Sequence, residues 1–185
     1  MSKQLLVLDV DGTLIYGSPD PSADGSDDFA VVAEGQTIWI KRRPGLNDFL
    51  KFCKENYDLA VWSSGTKEYI EKILAVIGLE VADLKYFFTR KDCVLKFLKT
   101  QAPDECEDRA MIIKPLNIIW KHGHYASHDT MILDDTPETY QENKEHAIPI
   151  YSYRGEDDDT GLYLATRILE KVLRSRFREK FLETW

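Results

Sequence analysis

The sequence has few cysteines, no long apolar run and no excess of basic residues. Cys53, Cys93 and Cys106 are odd in number and widely spaced, so no disulfide framework is implied and a reducing compartment fits. No apolar run reaches membrane-spanning length, and Met1–Gln4 leads into a strand-like run rather than a signal sequence. The 24 Lys and Arg against 32 Asp and Glu argue against nucleic acid as the main partner. We expect an intracellular protein, cytoplasmic or nuclear.

The chain does contain enough apolar residues for one core. With 185 residues, of which 43% are hydrophobic, we expect a single domain over residues 1–185 and a monomer. Strand-like runs alternate with helical patterns, which predicts a three-layer α/β fold with a central, mainly parallel sheet. Phe29–Ala33 and Gln36–Ile40 flank Glu34-Gly35 like a hairpin. The apolar runs between Tyr86 and Met111 fit either a small sheet or a helix.

Two carboxylates follow the first strand-like run. Leu5–Leu8 is followed by Asp9 and Asp11, then by Gly12 and Thr13. Side chains two residues apart in an extended chain point the same way, so Asp9 and Asp11 would face one site. Because two such charges repel each other, a divalent cation such as Mg²⁺ would stabilise them. The pattern indicates a phosphoryl-transfer site, although Asp-x-Asp-Gly also occurs in ordinary turns.

Further polar groups follow later apolar runs, and, like Asp9 and Asp11, each of them would have a role in phosphoryl transfer. Asp9 can attack phosphorus, and Asp11 can protonate the leaving group and later activate water. The remaining candidates are the phosphate-binding residues Thr13, Ser63 and Ser64, the charge-stabilising Lys114, the metal ligand Asp135, and Asp134, which would orient Lys114. Taken singly, the serines could cap a helix, Lys114 could be a surface charge, and Asp134-Asp135 could be a turn.

Two charged runs lie outside this set. Lys41-Arg42-Arg43 comes directly before Pro44 and is interpreted as a solvated junction between a strand and a helix. Glu156–Asp159 precedes a predicted helix over Thr160–Leu182, whose N-terminus favours negative charge. Neither run is assigned to the predicted site.

The order of these motifs resembles the haloacid dehalogenase superfamily and, within it, the C-terminal-domain phosphatase branch. The resemblance covers about residues 4–153 and rests on the following segments: Asp9-Val10-Asp11-Gly12-Thr13, the segment 41–50, Val61-Trp62-Ser63-Ser64, Ile113-Lys114-Pro115-Leu116 and Ile132-Leu133-Asp134-Asp135-Thr136-Pro137. The segment 114–120 is similar to the branch members that carry a ubiquitin-like domain. Since the chain starts almost at the first strand, we expect no such domain here.

The resemblance implies a Rossmann-like haloacid dehalogenase fold and an aspartyl-phosphate intermediate on Asp9, with Asp11 as acid and base. It also implies Mg²⁺ held by Asp9, the main-chain carbonyl of Asp11 and Asp135. Gly12 departs from the branch, in which a bulkier residue is common. The segments between Asp11 and Ser63 and between Ser63 and Lys114 are each about 50 residues long, which leaves room for small β inserts but not for a large cap domain.

An uncapped site suits a phosphate on a macromolecule. We therefore expect a phosphoprotein substrate carrying phosphoserine or phosphothreonine. The alternatives are a phosphatase that acts on phosphotyrosine, on a small molecule or on a nucleic-acid end, and a binding module that has lost catalysis. Such modules tend to lose a catalytic carboxylate, whereas Asp9, Asp11 and Asp135 are all present.

Overall fold

The computed structural model describes residues 3–23, 25–98 and 109–183. These residues form the strands β1 (Leu5–Leu8), β2 (Ile15–Ser18), β3 (Phe29–Ala33), β4 (Gln36–Arg42), β5 (Asp58–Trp62), β6 (Tyr86–Phe88), β7 (Val94–Leu98), β8 (Arg109–Ile113), β9 (Thr130–Asp134) and β10 (Ala147–Pro149). The α-helices of the described residues are α1 (Leu46–Asn56), α2 (Lys67–Val76), α3 (Asn117–Trp120) and α4 (Gly161–Glu183). None of these helices has the length and apolar content needed to cross a membrane.

A five-stranded parallel sheet forms the centre of the fold, in the order β10-β9-β1-β5-β6. All four residues of β1 are fully buried, as expected for a central strand that is covered on both faces. Leu6 and Leu8 pack into a core with α1, α2 and α4, whereas Leu5 and Val7 face a second core that includes Ile119 of α3. The predicted three-layer α/β fold with a mainly parallel central sheet is confirmed.

Two small antiparallel sheets are inserted between the elements of the central sheet. The first has the order β2-β4-β3, and its β3–β4 hairpin turns at Glu34 and Gly35, both of which have positive φ. The second is a ribbon formed by β7 and β8. These inserts confirm the expectation of small β elements in place of a cap.

The segment between Tyr86 and Met111, for which the sequence did not distinguish a small sheet from a helix, contains three strands in its described part. Between Tyr86 and Met111, β6 joins the edge of the central sheet next to β5, and β7 pairs with β8. The segment 101–108, whose polar composition predicts a loop, lies outside the described residues. Met111–Ile113, which leads into Lys114, therefore belongs to the ribbon and not to the parallel sheet.

Candidate active site

The carboxyl ends of three neighbouring strands bring together side chains that are far apart in the sequence. Asp9 follows β1, Ser63 follows β5, and Asp134 is the last residue of β9. Since β9, β1 and β5 are adjacent and parallel, these residues meet at one edge of the sheet, where ligands bind in folds of this type. Lys114 reaches the same edge from the ribbon, and its main-chain N–H donates to the carbonyl of Thr139 at 2.7 Å.

Lys114 is buried between two carboxylates. Its Nζ donates to Asp9 Oδ1 and to Asp134 Oδ2, each at 2.6 Å, and its side chain is 2% exposed. Burial alone would lower the pKa of Lys114, but the charges of Asp9 and Asp134 raise it above its ordinary value. The side chain therefore stays a cation. The second oxygen of Asp134 accepts the main-chain N–H of Thr136 at 2.8 Å, so the carboxylate that holds Lys114 is itself held.

Asp9 is buried and has a hydrogen-bond partner on each oxygen. Besides Lys114, the hydroxyl of Thr13 donates to Asp9 Oδ2 at 2.9 Å, and it also lies 3.4 Å from Asp135 Oδ1. Burial raises the pKa of Asp9, and the ammonium of Lys114 opposes that rise. Thr13 is thus a link between Asp9 and Asp135 in this structure.

Gly12 lies where a larger residue would disturb Asp135. Its φ is +78°, and a Cβ at this position would be 2.5 Å from Asp135 Oδ2 and 2.9 Å from Ser152 Oγ. Both the backbone conformation and the close approach of the carboxylate favour glycine. This gives a physical reason for Gly12, a position at which the branch that this chain resembles commonly has a bulkier residue.

The carboxyl group of Asp11 is held by a residue that the sequence interpretation missed. The phenol of Tyr69, in the first turn of α2, donates to Asp11 Oδ1 at 2.6 Å. Burial raises the pKa of Tyr69 above its ordinary value, and the charges of Asp11 and Asp9 raise it further. Burial also raises the pKa of Asp11. The sequence signal for Tyr69 was weak because its position fits the apolar face of α2.

The two serines differ in their positions. Ser63 is fully buried, and its Oγ accepts the main-chain N–H of Gly65 at 2.9 Å. Ser64 is half-buried, lines a cleft next to Asp11, and its carbonyl accepts Nε of Arg90 at 2.9 Å. Neither serine caps α2, because the N-cap of this helix is Thr66. The alternative that these serines cap the helix is therefore wrong, and their assignment as phosphate-binding residues stays a prediction.

The acidic residues at this edge fit a divalent cation. Carboxylate oxygens of Asp9, Asp134 and Asp135 lie within 4.8 Å of one another. Asp135 is half-buried, whereas Asp9 and Asp134 are buried and each already accepts a hydrogen bond from Lys114. Oxygen donors of this kind suit Mg²⁺. The resemblance implies that Asp9, Asp11 and Asp135 hold the metal ion. Asp9 and Asp135 also belong to this cluster, whereas Asp11 would contribute only its main-chain carbonyl.

The interpretation of Lys41-Arg42-Arg43 as a solvated junction is wrong for Arg43, which is 1% exposed. Its guanidinium binds Asp159 at 2.6 Å and 2.8 Å and donates to the carbonyl of Thr13 at 3.1 Å. Lys41 pairs with Asp157 at 2.8 Å. The basic run thus meets the acidic run before α4. A pairing over 116 residues leaves no local signal in the sequence.

An open cleft of about 440 Å³ lies beside Asp11. Its lining includes Ser64, Tyr69 and Arg90 together with Glu34 and Gln36 from the β3–β4 hairpin. The cleft connects the carboxyl group of Asp11 with solvent.

Comparison with known proteins agrees with this geometry. The model of the NLI interacting factor-like phosphatase family matches residues 4–179. CTD small phosphatase-like protein 3 of Caenorhabditis elegans is 26% identical over 169 residues, which cover 90% of this chain and 53% of the relative. Ubiquitin-like domain-containing CTD phosphatase 1 of Drosophila melanogaster is 27% identical over 176 residues, which cover 92% and 49%. The chain spans about half the length of these curated relatives.

Solved structures share the fold. Fcp1, described as an essential RNA polymerase II CTD phosphatase, superposes with a TM-score of 0.58 at 22% identity, covering 82% of this chain and 42% of Fcp1. A magnesium-bound phosphatase domain of the protein BF1531 from Bacteroides fragilis gives a TM-score of 0.51 at 18% identity, covering 89% and 40%. These likenesses support the haloacid dehalogenase fold expected from the motifs. The family match extends over nearly the whole chain, and we conclude that this protein belongs to the NLI interacting factor-like phosphatase family.

Proposed function

We propose that this chain is a Mg²⁺-dependent phosphoprotein phosphatase that acts on phosphoserine or phosphothreonine through an aspartyl-phosphate. The observation that carries the proposal is the setting of Asp9. Its carboxylate lies at the end of β1, buried, with Lys114 at 2.6 Å and Thr13 at 2.9 Å. A carboxylate held in this way on a rigid strand end is a suitable nucleophile for phosphorus.

The chain's own residues provide both chemical steps. In the first, an oxygen of Asp9 forms a bond to phosphorus while the bond between phosphorus and the ester oxygen breaks, and Asp11 gives its proton to that oxygen. In the second, Asp11 accepts a proton from water as the water oxygen bonds to phosphorus. The bond between phosphorus and Asp9 then breaks, which releases inorganic phosphate and restores Asp9.

The remaining site residues would stabilise charge. Lys114 places a fixed positive charge beside Asp9, and Thr13, Ser63 and Ser64 would hold the phosphate oxygens. Asp134 keeps Lys114 in place. Mg²⁺, held by Asp9, Asp135 and the main-chain carbonyl of Asp11, would offset the negative charge of the carboxylates and the phosphate when bound.

The proposed substrate follows from the open cleft and from the relatives. The inserts next to the site are small sheets, and the cleft beside Asp11 opens to solvent, which supports a phosphate on a protein rather than an enclosed metabolite. The relatives are named as CTD phosphatases, which supports the same class. All site residues come from one chain, so a monomer suffices. We place its action in the cytoplasm or nucleus.

Hydrolysis of an aryl phosphate tests the proposal. We expect Mg²⁺-dependent turnover that is abolished by EDTA and by Asp9→Asn, whereas Asp83→Asn, an exposed carboxyl outside the site, keeps full activity. A panel of phosphoserine, phosphothreonine and phosphotyrosine peptides then determines the substrate class. No turnover by folded wild-type protein would overturn the proposal in favour of a binding module, and full activity of Asp9→Asn would overturn the role of Asp9.

A further inference from the structure

Tyr69 is placed to control the carboxyl group of Asp11. It lies in the first turn of α2, where its main-chain N–H donates to the N-cap hydroxyl of Thr66 at 3.4 Å. Its ring is packed in the core, with 8% of the residue exposed, and its phenol reaches Asp11 Oδ1 at 2.6 Å. This is a short hydrogen bond between a side chain on a regular helix and the proposed acid and base of the reaction.

Two glycines make room for the Tyr69 ring. A Cβ at Gly17, in β2, would lie 2.9 Å from the Tyr69 hydroxyl, and a Cβ at Gly65 would lie 3.0 Å from Cδ1 of the same ring. Neither glycine has a positive φ, so backbone conformation does not require glycine at either position. Close approach of Tyr69 accounts for Gly17, whereas a Cβ at Gly65 would lie closer still to the Ile70 side chain, at 2.8 Å, so Gly65 makes room for Ile70 as well as for the ring. The main chain at Gly17 and at Gly65 thus packs directly against Tyr69.

The direction of this hydrogen bond determines which oxygen of Asp11 can carry a proton. In this hydrogen bond the phenol of Tyr69 is the donor and Oδ1 of Asp11 is the acceptor. When Asp11 is protonated, Oδ1 is therefore the carbonyl oxygen and the proton belongs on Oδ2. An unrestrained carboxyl group would divide its proton between two oxygens and several orientations.

We infer that Tyr69 is a positioning residue that holds Asp11 so that its proton is presented from Oδ2 to the leaving oxygen of the substrate. This inference deepens the proposed function and rests on it. As the bond between Asp9 and phosphorus forms and the ester bond breaks, the proton passes from Oδ2 of Asp11 to the leaving oxygen. Tyr69 keeps its own proton throughout, and Asp11 remains as a carboxylate hydrogen-bonded to the phenol.

The leaving group provides a readout that a purely structural role would not affect. A nitrophenolate leaves without protonation, whereas the alkoxide of phosphoserine needs a proton from Asp11. For Tyr69→Phe we expect kcat/KM to fall by about 10- to 100-fold with a phosphoserine peptide, which is less than the full contribution of about 100- to 10,000-fold that is typical of general acid catalysis, because Asp11 itself is retained. With p-nitrophenyl phosphate we expect a change of less than about threefold, because no general acid is needed there. Since kcat/KM includes only the steps up to cleavage of the ester bond, slow hydrolysis of the intermediate does not obscure the comparison.

Three further variants complete the experiment. Asp11→Asn should show the same selective loss, and adding Tyr69→Phe to it should cause no further loss, because both act through one proton. Gly17→Ala leaves Tyr69 in place but crowds its hydroxyl, and should reproduce the pattern in a protein that keeps the phenol. Tyr125→Phe is the matched control, since Tyr125 donates to Asp58 at 2.8 Å at the opposite edge of the sheet. It should leave both activities unchanged.

The outcomes separate this inference from the proposed function. Equal losses on the two substrates, or no loss on either, would overturn the role of Tyr69 while leaving the phosphatase in place. An additive double variant would also overturn it. If wild-type protein hydrolyses neither substrate, or if Asp9→Asn is fully active, the proposed function itself fails.

Discussion

Two buried cations, Lys114 and Arg43, contact the segment Asp9–Thr13 that follows β1, and they differ in what they bind. Lys114 donates to two carboxylates, Asp9 and Asp134. Arg43 binds a single carboxylate, Asp159. The remainder of its guanidinium donates to main-chain carbonyls, those of Thr13 at 3.1 Å, Gly12 at 3.3 Å and Tyr151 at 2.8 Å.

The difference follows from the chemistry of the two side chains. The planar guanidinium of Arg43 has donors in fixed directions, which suits a junction where several chain segments meet. The ammonium of Lys114 is a compact charge, which suits a site where charge changes during the reaction. Burial of a charge therefore does not by itself mark a catalytic residue. The groups that surround it show whether it serves the reaction or holds the backbone.

The largest effect is expected on catalytic activity when Lys114 is replaced. Lys114→Met removes the positive charge beside Asp9 and leaves Asp9 and Asp134 to repel each other. We expect kcat/KM for an aryl phosphate to fall by about 1000-fold, as when a group that stabilises transition-state charge is removed. Steady-state kinetics on protein shown by circular dichroism to be folded measures this. Lys121→Met, which removes an exposed lysine, is the control and should keep wild-type activity. More than a tenth of wild-type activity in Lys114→Met would contradict the proposed role.

When the ion pair of Arg43 with Asp159 is broken, we expect a loss of stability rather than of catalytic activity. Asp159→Asn leaves the guanidinium, whose side chain is fully buried, without its anion, and we expect the free energy of unfolding to fall by about 3 kcal/mol. Urea denaturation measures this. Asp157→Asn is the matched control, because Asp157 also pairs with the basic run but is 85% exposed, and it should change stability little. A larger effect of Asp157→Asn than of Asp159→Asn would contradict the distinction.

The pH dependence of the same pair provides a sharper test. Burial raises the pKa of Asp159, but hydrogen bonds from Arg43 and Gly161 outweigh this and lower it below 3.8. A carboxyl group with a lower pKa in the folded state contributes stability above its unfolded pKa and loses it as the pH falls through the folded value. The difference in stability between wild-type protein and Asp159→Asn should therefore be constant at neutral pH and shrink below about pH 4. Urea denaturation at several pH values measures it, and a difference unchanged at pH 3 would contradict this assignment.

The surroundings of Lys114 and those of Arg43 also differ in how far the sequence predicted them. Asp9, Asp134 and Ser63 each come at the end of an apolar strand, and a parallel sheet brings such ends together, so local patterns were sufficient to place them at one edge. Arg43 was assigned to solvent because its burial depends on Asp159, 116 positions away. Local pattern carries no information about such a pairing.

Two further features needed the three-dimensional structure for different reasons. Tyr69 occupies a helix position that fits a core residue, and the role that we infer for it depends on the position of the phenol rather than on the packing of the ring. Lys114 was predicted at the correct edge, but the strand before it was not placed, because a short apolar run fits a sheet or a helix equally well. Its position comes instead from the ribbon and from the bond between its N–H and Thr139.

The smallest effect is expected for replacement of Gly12, which lies next to both Arg43 and Asp135. Its carbonyl accepts from Arg43 at 3.3 Å, and its missing Cβ leaves room for Asp135. Gly12→Ala should cost about 1 kcal/mol in stability for the positive φ. It should also displace Asp135, so that the Mg²⁺ concentration for half-maximal hydrolysis rises about tenfold, as when the surroundings of a metal ligand are changed.

Gly35→Ala separates these two effects. Gly35 has nearly the same φ, +76°, but a Cβ there meets no atom within 4 Å. The two variants should therefore lose similar stability by thermal denaturation, whereas a Mg²⁺ titration of activity should shift for Gly12→Ala alone. If both variants require the same Mg²⁺ concentration as wild-type protein, Gly12 serves the backbone turn and not Asp135. In that case the positive φ of Gly12, rather than the closeness of Asp135, accounts for glycine at this position.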